Sequence, residues 1–400
     1  MKKLSLLIFF ILLFPLNAHS QVISKIELVG LKWTKVAFVR RELLFKEGDT
    51  YSEEKLKKSV RNLLNTHLFY RIETQVREVN GKVVVKLRFK EKFPLVPIPR
   101  MFFKTNGSFK GGVEVRDYNL FGMGHRLYVG YTRWFKTENT WKDAFIYTRL
   151  YRFLKDKSDL SAGIFWNKGE NVSYTENGRV IGTYSLETIS LPVYVTSYLD
   201  LEKVKQLTVG VKPYFINYSK FYPNKRFYFF NLGLAFDRTT DMVYYVKGSR
   251  VVLYGEVAEP LSSSSFTGAL FFSWENTIHT GSVNTYSYAL AGGTKVGYSG
   301  ELPINSYIPG YKSSEIVNRR FLKCRLSLRR SLFNRSVFFK PTVVLGDAFE
   351  SSPDDLLVAT GFEISAFWAK LVDGIIRFRI YKGIGKNSDT QTNLKFDFRW

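Results

Sequence analysis

Residues 392–400 read Thr-Asn-Leu-Lys-Phe-Asp-Phe-Arg-Trp. In an extended chain, side chains alternate between two faces. Leu394, Phe396, Phe398 and Trp400 therefore share one face, and Lys395, Asp397 and Arg399 share the other. Water on both sides would not tolerate the first stripe, and a packed core would not tolerate the second. A strand with lipid on one side and a water-filled lumen on the other accommodates both. The remainder of the chain bears on whether it forms a membrane-spanning barrel.

The chain opens Met1-Lys2-Lys3 and continues with an apolar run, Leu4 to Leu16. Small residues at Ala18 and Ser20 precede Gln21, the pattern of a secretory signal peptide over residues 1–20. The run is shorter than the ~20 residues a spanning helix needs. Beyond Gln21 no run of ~18 apolar residues is present. Aromatics make up 16% of the chain, with 35 Phe and 24 Tyr, a supply that two aromatic girdles would use. The single cysteine, Cys324, can form neither an internal disulfide nor a zinc site. The four histidines lack metal-ligand spacing, and no nucleotide-binding or hydrolase motif is present. The expectation is a non-enzymatic protein without a cofactor.

The formal charge is +24. A secreted chain meets little nucleic acid, so that partner class is set aside. Anionic lipids, lipopolysaccharide phosphates or acidic clients fit the charge better.

Residues 21–92 differ in pattern from the rest. A short strand from Ile23 precedes a helix expected to start at Thr34. Ser52 opens a second helix with Leu56, Val60, Leu63 and Leu64 on one face. Two strands, Tyr70–Val79 and Val83–Lys90, flank Asn80-Gly81, a strong hairpin signal. The order β-α-α-β-β makes a small α+β domain. Its outer hairpin strand carries Ile72, Thr74 and Val76, an edge that could add a client strand by β-augmentation. Prolines at 94, 97 and 99 mark residues 93–99 as an extended linker. From Arg100 to Trp400 there follow sixteen alternating segments. An even number suits a closed antiparallel barrel with both ends on one side.

The segment from Leu28 to Val76, with its Lys46-Glu47-Gly48-Asp49 stop, resembles a POTRA domain of the BamA/TamA outer-membrane assembly superfamily. The stretches from Gly111 to Tyr131, Phe236 to Val257 and Tyr307 to Arg330 resemble that superfamily's barrel. The resemblance implies an outer-membrane location with the POTRA domain in the periplasm. It also implies insertion of barrel proteins or export of polypeptides, with unfolded outer-membrane or secreted clients and periplasmic or lipoprotein accessory subunits. A passive anion-preferring pore and a dedicated exporter of one partner are the rival readings. The family's sixth loop carries an Arg-Gly-aromatic tip whose Arg pairs with carboxylates on two barrel strands. The matching tip here is Ile308-Pro309-Gly310-Tyr311, and the matching wall positions are Ser327 and Asp347. With Pro309 at the Arg position, a loop held by shape and hydrogen bonds is one reading. Arg319 or Arg320 taking the Arg's part is the other.

Two further features belong to the barrel. Charged residues facing lipid would cost ~2–4 kcal/mol at midplane. Lys323, Arg325, Arg329, Arg377, Arg379, Lys395 and Arg399 are therefore placed on the lumen face. Phe103 and Lys104 on the first strand, with Phe396, Phe398 and Trp400 on the last, form a closing seam that could open laterally.

Overall fold

A computed structural model describes residues 21–103, 109–135, 140–154, 157–176, 179–260, 266–280, 284–297, 302–303, 307–311, 317–333, 335–347, 356–370, 374–385 and 388–396. The expected signal peptide lies outside the described residues, as do Lys104, Phe398, Arg399 and Trp400.

The N-terminal domain runs β1 (Ile23–Val29), α1 (Val36–Glu42), α2 (Glu53–Asn65), β2 (Phe69–Val79) and β3 (Lys82–Glu91). The Ser52 hydroxyl caps α2 by accepting from the Lys55 amide, and Glu53 and Glu54 occupy its positive first turn. Helix α1 starts from Lys35 instead of Thr34. Thr34 is drawn off because the Glu91 carboxylate accepts from its amide, at 2.9 Å, and from the amides of Lys32 and Trp33. The three strands pair in the order β1-β3-β2, with β1 parallel to β3 and β2 on an outer edge. Phe38, Val39, Leu56, Leu63, Phe69, Val85 and Leu87 fill the core beneath the helices.

The barrel strands are β4 (Leu95–Phe103), β5 (Phe109–Leu120), β6 (His125–Phe135), β7 (Thr140–Leu154), β8 (Ser158–Glu176), β9 (Arg179–Ser190), β10 (Val193–Tyr198), β11 (Lys205–Tyr218) and β12 (Lys225–Asp237). They continue with β13 (Thr240–Asp241), β14 (Val246–Pro260), β15 (Thr267–Thr280), β16 (Asn284–Val296), β17 (Leu302–Pro303), β18 (Val317–Asn318), β19 (Arg320–Phe333), β20 (Val337–Asp347), β21 (Leu357–Trp368), β22 (Gly374–Ile384) and β23 (Thr390–Phe396). Eighteen of these join one sheet in which β23 neighbours β4, so the sheet closes on itself. Both β9 and β10 pair with β8 and β11, so they are halves of one strand, interrupted at Pro192. The two-residue β13 only extends the β12–β14 hairpin. Removing those two from eighteen leaves sixteen staves.

Period-two burial confirms the two faces. On β12, Tyr228, Phe230, Leu232, Leu234 and Phe236 are exposed outward. Phe227, Phe229 and Asn231 between them are buried inward. The same alternation puts Leu322 and Leu326 outside and Ser327 and Arg329 inside on β19. An apolar belt around a polar lumen is the requirement of a wall in lipid.

The segment read as a linker is part of this wall. Leu95–Phe103 forms the first strand, with Pro97 and Pro99 opposite Val115 and Val113 of β5. Proline lacks only a donor, and each residue's N–H points to one neighbour alone. The Tyr118 amide donates to Pro94 O, and Leu95 lies opposite Asp117. Even-numbered residues of β4 therefore bond to β5, and odd-numbered ones face β23. Pro97 and Pro99 sit where their missing N–H groups spare the β5 ladder, as prolines of an edge strand do.

Candidate functional site: the POTRA-closed lumen and the seam

The small domain docks into the periplasmic mouth of the barrel through polar groups at its helix ends. Glu42, at the end of α1, has a fully buried carboxylate. It accepts from Arg152 at 3.1 and 3.3 Å and from Lys203 Nζ at 2.6 Å. Arg152 stands near the periplasmic end of β7, and Lys203 on the turn between β10 and β11. Arg152 reaches this pose from a backbone with φ +49°, held by its amide donating to Asp159. Lys58 and Arg61 of α2 bind Glu202, at its carboxylate (2.6 Å) and its carbonyl (3.1 Å). Asn65 donates to Thr239 O and accepts from the Asp241 amide. His67 Nδ1 lies 2.5 Å from Asp241 Oδ2. Burial pushes the Asp241 carboxyl up in pKa, but His67, Lys92 and the Val243 amide outweigh it and hold the group below the usual range. On the opposite rim, the Lys35 amide donates to Gly122 O, and Asn119 donates to the Thr34 hydroxyl at 3.0 Å. Gly124, with φ +71°, sits against the Phe38 ring where any Cβ would collide.

Above this seal lies a cavity of about 450 Å³. The end of α2 (Arg61 and Asn65) and His67 in the turn after it form its floor. Arg325, Arg329, Arg377 and Arg379, four of the expected lumen cations, line its wall. Lys323 does not line it. Its ammonium instead donates to Tyr307 O in the loop above, at 2.9 Å. The backbone of Lys395 pairs with Arg377 on β22.

The loop tip is buried on the inner wall. Ile308 and Tyr311 pack with Val344 and Ala359, and Ile308 presses on Gly346. The Tyr311 hydroxyl accepts from the Val358 amide at 2.8 Å. It lies 2.7 and 2.9 Å from the carbonyls of Val358 and Ile384, to one of which it donates. Gly310 O accepts from the Asp389 amide at 2.8 Å, and the Gly310 amide donates to Gln391. At φ +86° and against Gly383, position 310 admits only glycine. Pro309 therefore stands in a tip held by apolar contact and hydrogen bonds. The expectation for the wall positions is corrected: none of the tip's described hydrogen bonds goes to Ser327 or Asp347. Ser327 lies opposite Ser287 and Thr342, and Asp347 lies at the end of β20 opposite Leu322. Tyr311→Phe should free the tip, because it strips the Val358 amide of its buried acceptor at a cost of ~1–3 kcal/mol. Faster proteolysis within residues 300–316, with an intact barrel, is the expected readout.

At the seam, β23 pairs with β22 from Lys382↔Thr390 to Ile376↔Phe396 and neighbours β4 on its other side. Among the five odd-numbered residues of β4 that face it, two are proline, which leaves three donors. Sixteen alternating staves make β4 and β23 antiparallel. Phe396 lies two residues from the periplasmic start of β22, whereas Phe103 is at the far end of β4. The two seam residues thus stand at opposite heights and do not face each other.

On the POTRA domain, β2 pairs only with β3, so the edge carrying Ile72, Thr74 and Val76 is unpaired among the described residues. Thr74 and Val76 are exposed, and Ile72 is half-buried. The sequence pointed to this edge, to the loop tip and to the lumen cations. It did not point to Glu42, Asn65, His67, Glu202 or Asp241, which no local pattern distinguishes.

A sixteen-stranded barrel with an apolar outer belt and one α+β domain in its mouth defines a class: outer-membrane β-barrels with a periplasmic POTRA domain. Residues 21–92 match the POTRA family, described as a surface antigen variable number repeat. The chain is 26% identical over 153 residues to the outer membrane protein assembly factor BamA of Neorickettsia risticii (strain Illinois). That match covers 36% of this chain and 21% of the relative, so it spans about a fifth of that protein. Among solved structures, CdiB from Escherichia coli aligns with a TM-score of 0.66 at 12% identity, over 95% of this chain and 75% of that one. CdiB from Acinetobacter baumannii aligns at 0.62 and 12%, over 94% and 73%. BamA from Haemophilus ducreyi lacking POTRA domains 1–3 aligns at 0.54 and 14%, over 94% and 83%. At these identities the likeness is one of fold.

Proposed function

We propose that this protein handles polypeptides at the outer membrane, as a factor for assembling barrel proteins or exporting secreted ones. In this reading a client strand first pairs with the β2 edge of the POTRA domain and then with the seam. The observation that carries it is the seam-facing edge of β4, where Pro97 and Pro99 remove two donors. A strand pair with fewer hydrogen bonds parts more readily, and the parted edge of β23 can template another strand. No cofactor or ATP is needed, because strand pairing supplies the binding energy. The clients are unfolded outer-membrane or secreted polypeptides. Anionic lipids or lipopolysaccharide and accessory subunits are further partners.

A passive anion-preferring pore is the second reading, favoured by the basic cavity wall. A disulfide across the seam separates the two. In a Cys324→Ser background, one cysteine at Met101 is combined in turn with one at Thr390, Thr392 or Leu394. The pair that cross-links fixes the register, since a disulfide needs Cα atoms within ~7 Å. Oxidation should abolish insertion of an unfolded barrel client into liposomes, and reduction should restore it. Full activity in the locked state would refute seam opening, and unchanged conductance beside it would favour the pore.

A further inference from the structure

Phe103, Phe109 and Phe135 are in register across β4, β5 and β6. The rings of Phe109 and Phe135 stack with centroids 4.8 Å apart. They hold lipid-facing positions near the extracellular ends of their strands, where an aromatic girdle belongs. A second girdle is expected at the other edge of the apolar band, ~25 Å lower. Ten residues back from Phe103, at a rise of ~3.4 Å and a tilt of ~40°, the chain has descended ~26 Å and reached Phe93.

At that height the rings come from the junction with the small domain. Trp33, in the loop between β1 and α1, meets Phe93 edge to face at 5.8 Å. Phe121 lies in the adjoining turn, where a Cβ on Gly122 would stand 2.8 Å from Trp33 O. Trp33, Phe93 and Phe121 are 52, 45 and 72% exposed. The loop carrying Trp33 is nevertheless fixed at its backbone. Glu91 accepts from the amides of Lys32, Trp33 and Thr34, and the Lys35 amide donates to Gly122 O. The indole is thus held outside, and its N–H makes no hydrogen bond among the described residues. The patch continues the lipid-facing belt, through Leu95 just above Phe93 and through exposed Trp368 across the seam. Exposed Lys32, Lys35 and Lys370 surround it, and none makes an ion pair among the described residues. Tryptophan with an apolar body and a free polar tip, ringed by lysines, suits the headgroup layer of an anionic leaflet.

We propose that this junction is a phospholipid-binding surface. Trp33, Phe93 and Phe121 lie at the level of the periplasmic headgroups, and Lys32, Lys35 and Lys370 meet the phosphates of anionic phospholipids. The small domain then completes the lower girdle beneath the seam and is fastened to lipid as well as to the barrel mouth. This holds equally for a barrel that handles polypeptides and for a pore.

The test uses the full chain in a Cys324→Ser background, with a bimane label on a single cysteine. Trp33→Cys reports on the patch, and Lys82→Cys, at the far end of β3 from Glu91, is the reference. Phe121→Cys repeats the reading with Trp33 in place. Each labelled protein is first shown to be folded by heat-modifiable migration. It is then placed in vesicles of phosphatidylcholine and phosphatidylglycerol, one of the two brominated on its acyl chains. Positions 33 and 121 should be quenched at least about fivefold more strongly than position 82. Brominated phosphatidylglycerol should quench position 33 about twice as strongly as an equal fraction of brominated phosphatidylcholine. That preference should vanish when Lys32→Gln, Lys35→Gln and Lys370→Gln are combined. Quenching at 33 and 121 no stronger than at 82 would overturn the proposal. So would shielding of the patch that appears only on adding an unfolded polypeptide or on crowding the vesicles with protein. The first would assign the patch to a client and the second to another copy of the chain. Equal quenching by the two brominated lipids would overturn the role given to the lysines.

Discussion

Deleting residues 392–400 is expected to prevent assembly outright, with no folded protein reaching the outer membrane. The deletion removes most of the ladder between β22 and β23 and the partner of β4. Two strand edges would then face hydrocarbon, where each unsatisfied backbone group costs several kcal/mol. That sum exceeds the ~5–15 kcal/mol by which folded proteins are stable. Heat-modifiable migration after expression measures the outcome, and normal levels of folded truncated protein would refute the closure described here.

Glu42→Ala should undo the POTRA seal. The change leaves Arg152 and Lys203 partly buried, with side chains 12 and 17% exposed and their shared carboxylate gone. Breaking a buried pair by removing one partner typically costs ~3–5 kcal/mol. The seal has other contacts, through Glu202, Asp241 and Gly122, so the barrel itself should stay folded. The expected result is a larger and noisier conductance in planar bilayers, with new protease cleavage between the POTRA domain and the barrel. Adding Arg152→Gln and Lys203→Gln to Glu42→Ala should recover part of the lost stability, because no uncompensated charge then remains.

The staves were legible because period two survives wherever one side of a strand meets lipid and the other the lumen. On β12 the pattern can be read residue by residue. The POTRA helices were legible for the equivalent reason at period 3.6, and Ser52 announced one of them. Pro97 and Pro99 mislead because a run of missing donors looks like an extended linker and not like a stave. A missing donor excludes bonding to one neighbour only, and which neighbour depends on a register that sequence does not encode. The seal was not legible for a different reason. Glu42 meets partners 110 and 161 residues away, and an unremarkable helix-end carboxylate carries no sign of that. The lumen cations were found because lipid excludes them from the outer face. Lys340, on the same inner wall, was missed because Pro341 and Phe339 beside it made the strand's inner face less obvious.

Val96 and Ile98, on the inner face of β4, are 3 and 0% exposed and lie in one apolar core with Phe38, Leu63 and Phe69 of the POTRA domain. The first stave is therefore a continuation of the small domain as much as a member of the ring. Across the seam, the start of β23 is tied through Asp389 and Gln391 to the buried loop tip and so to β21 and β22. The ring thus has two reinforced posts standing side by side, one braced from the periplasm and the other from within the barrel. At the periplasmic end the line between them is bridged, by the Phe93 amide donating to Lys370 O at 2.9 Å and by Leu64 and Tyr70 of the small domain packed against Phe367 and Ile375, so a doorway there is hinged at the bottom and would part from its upper end.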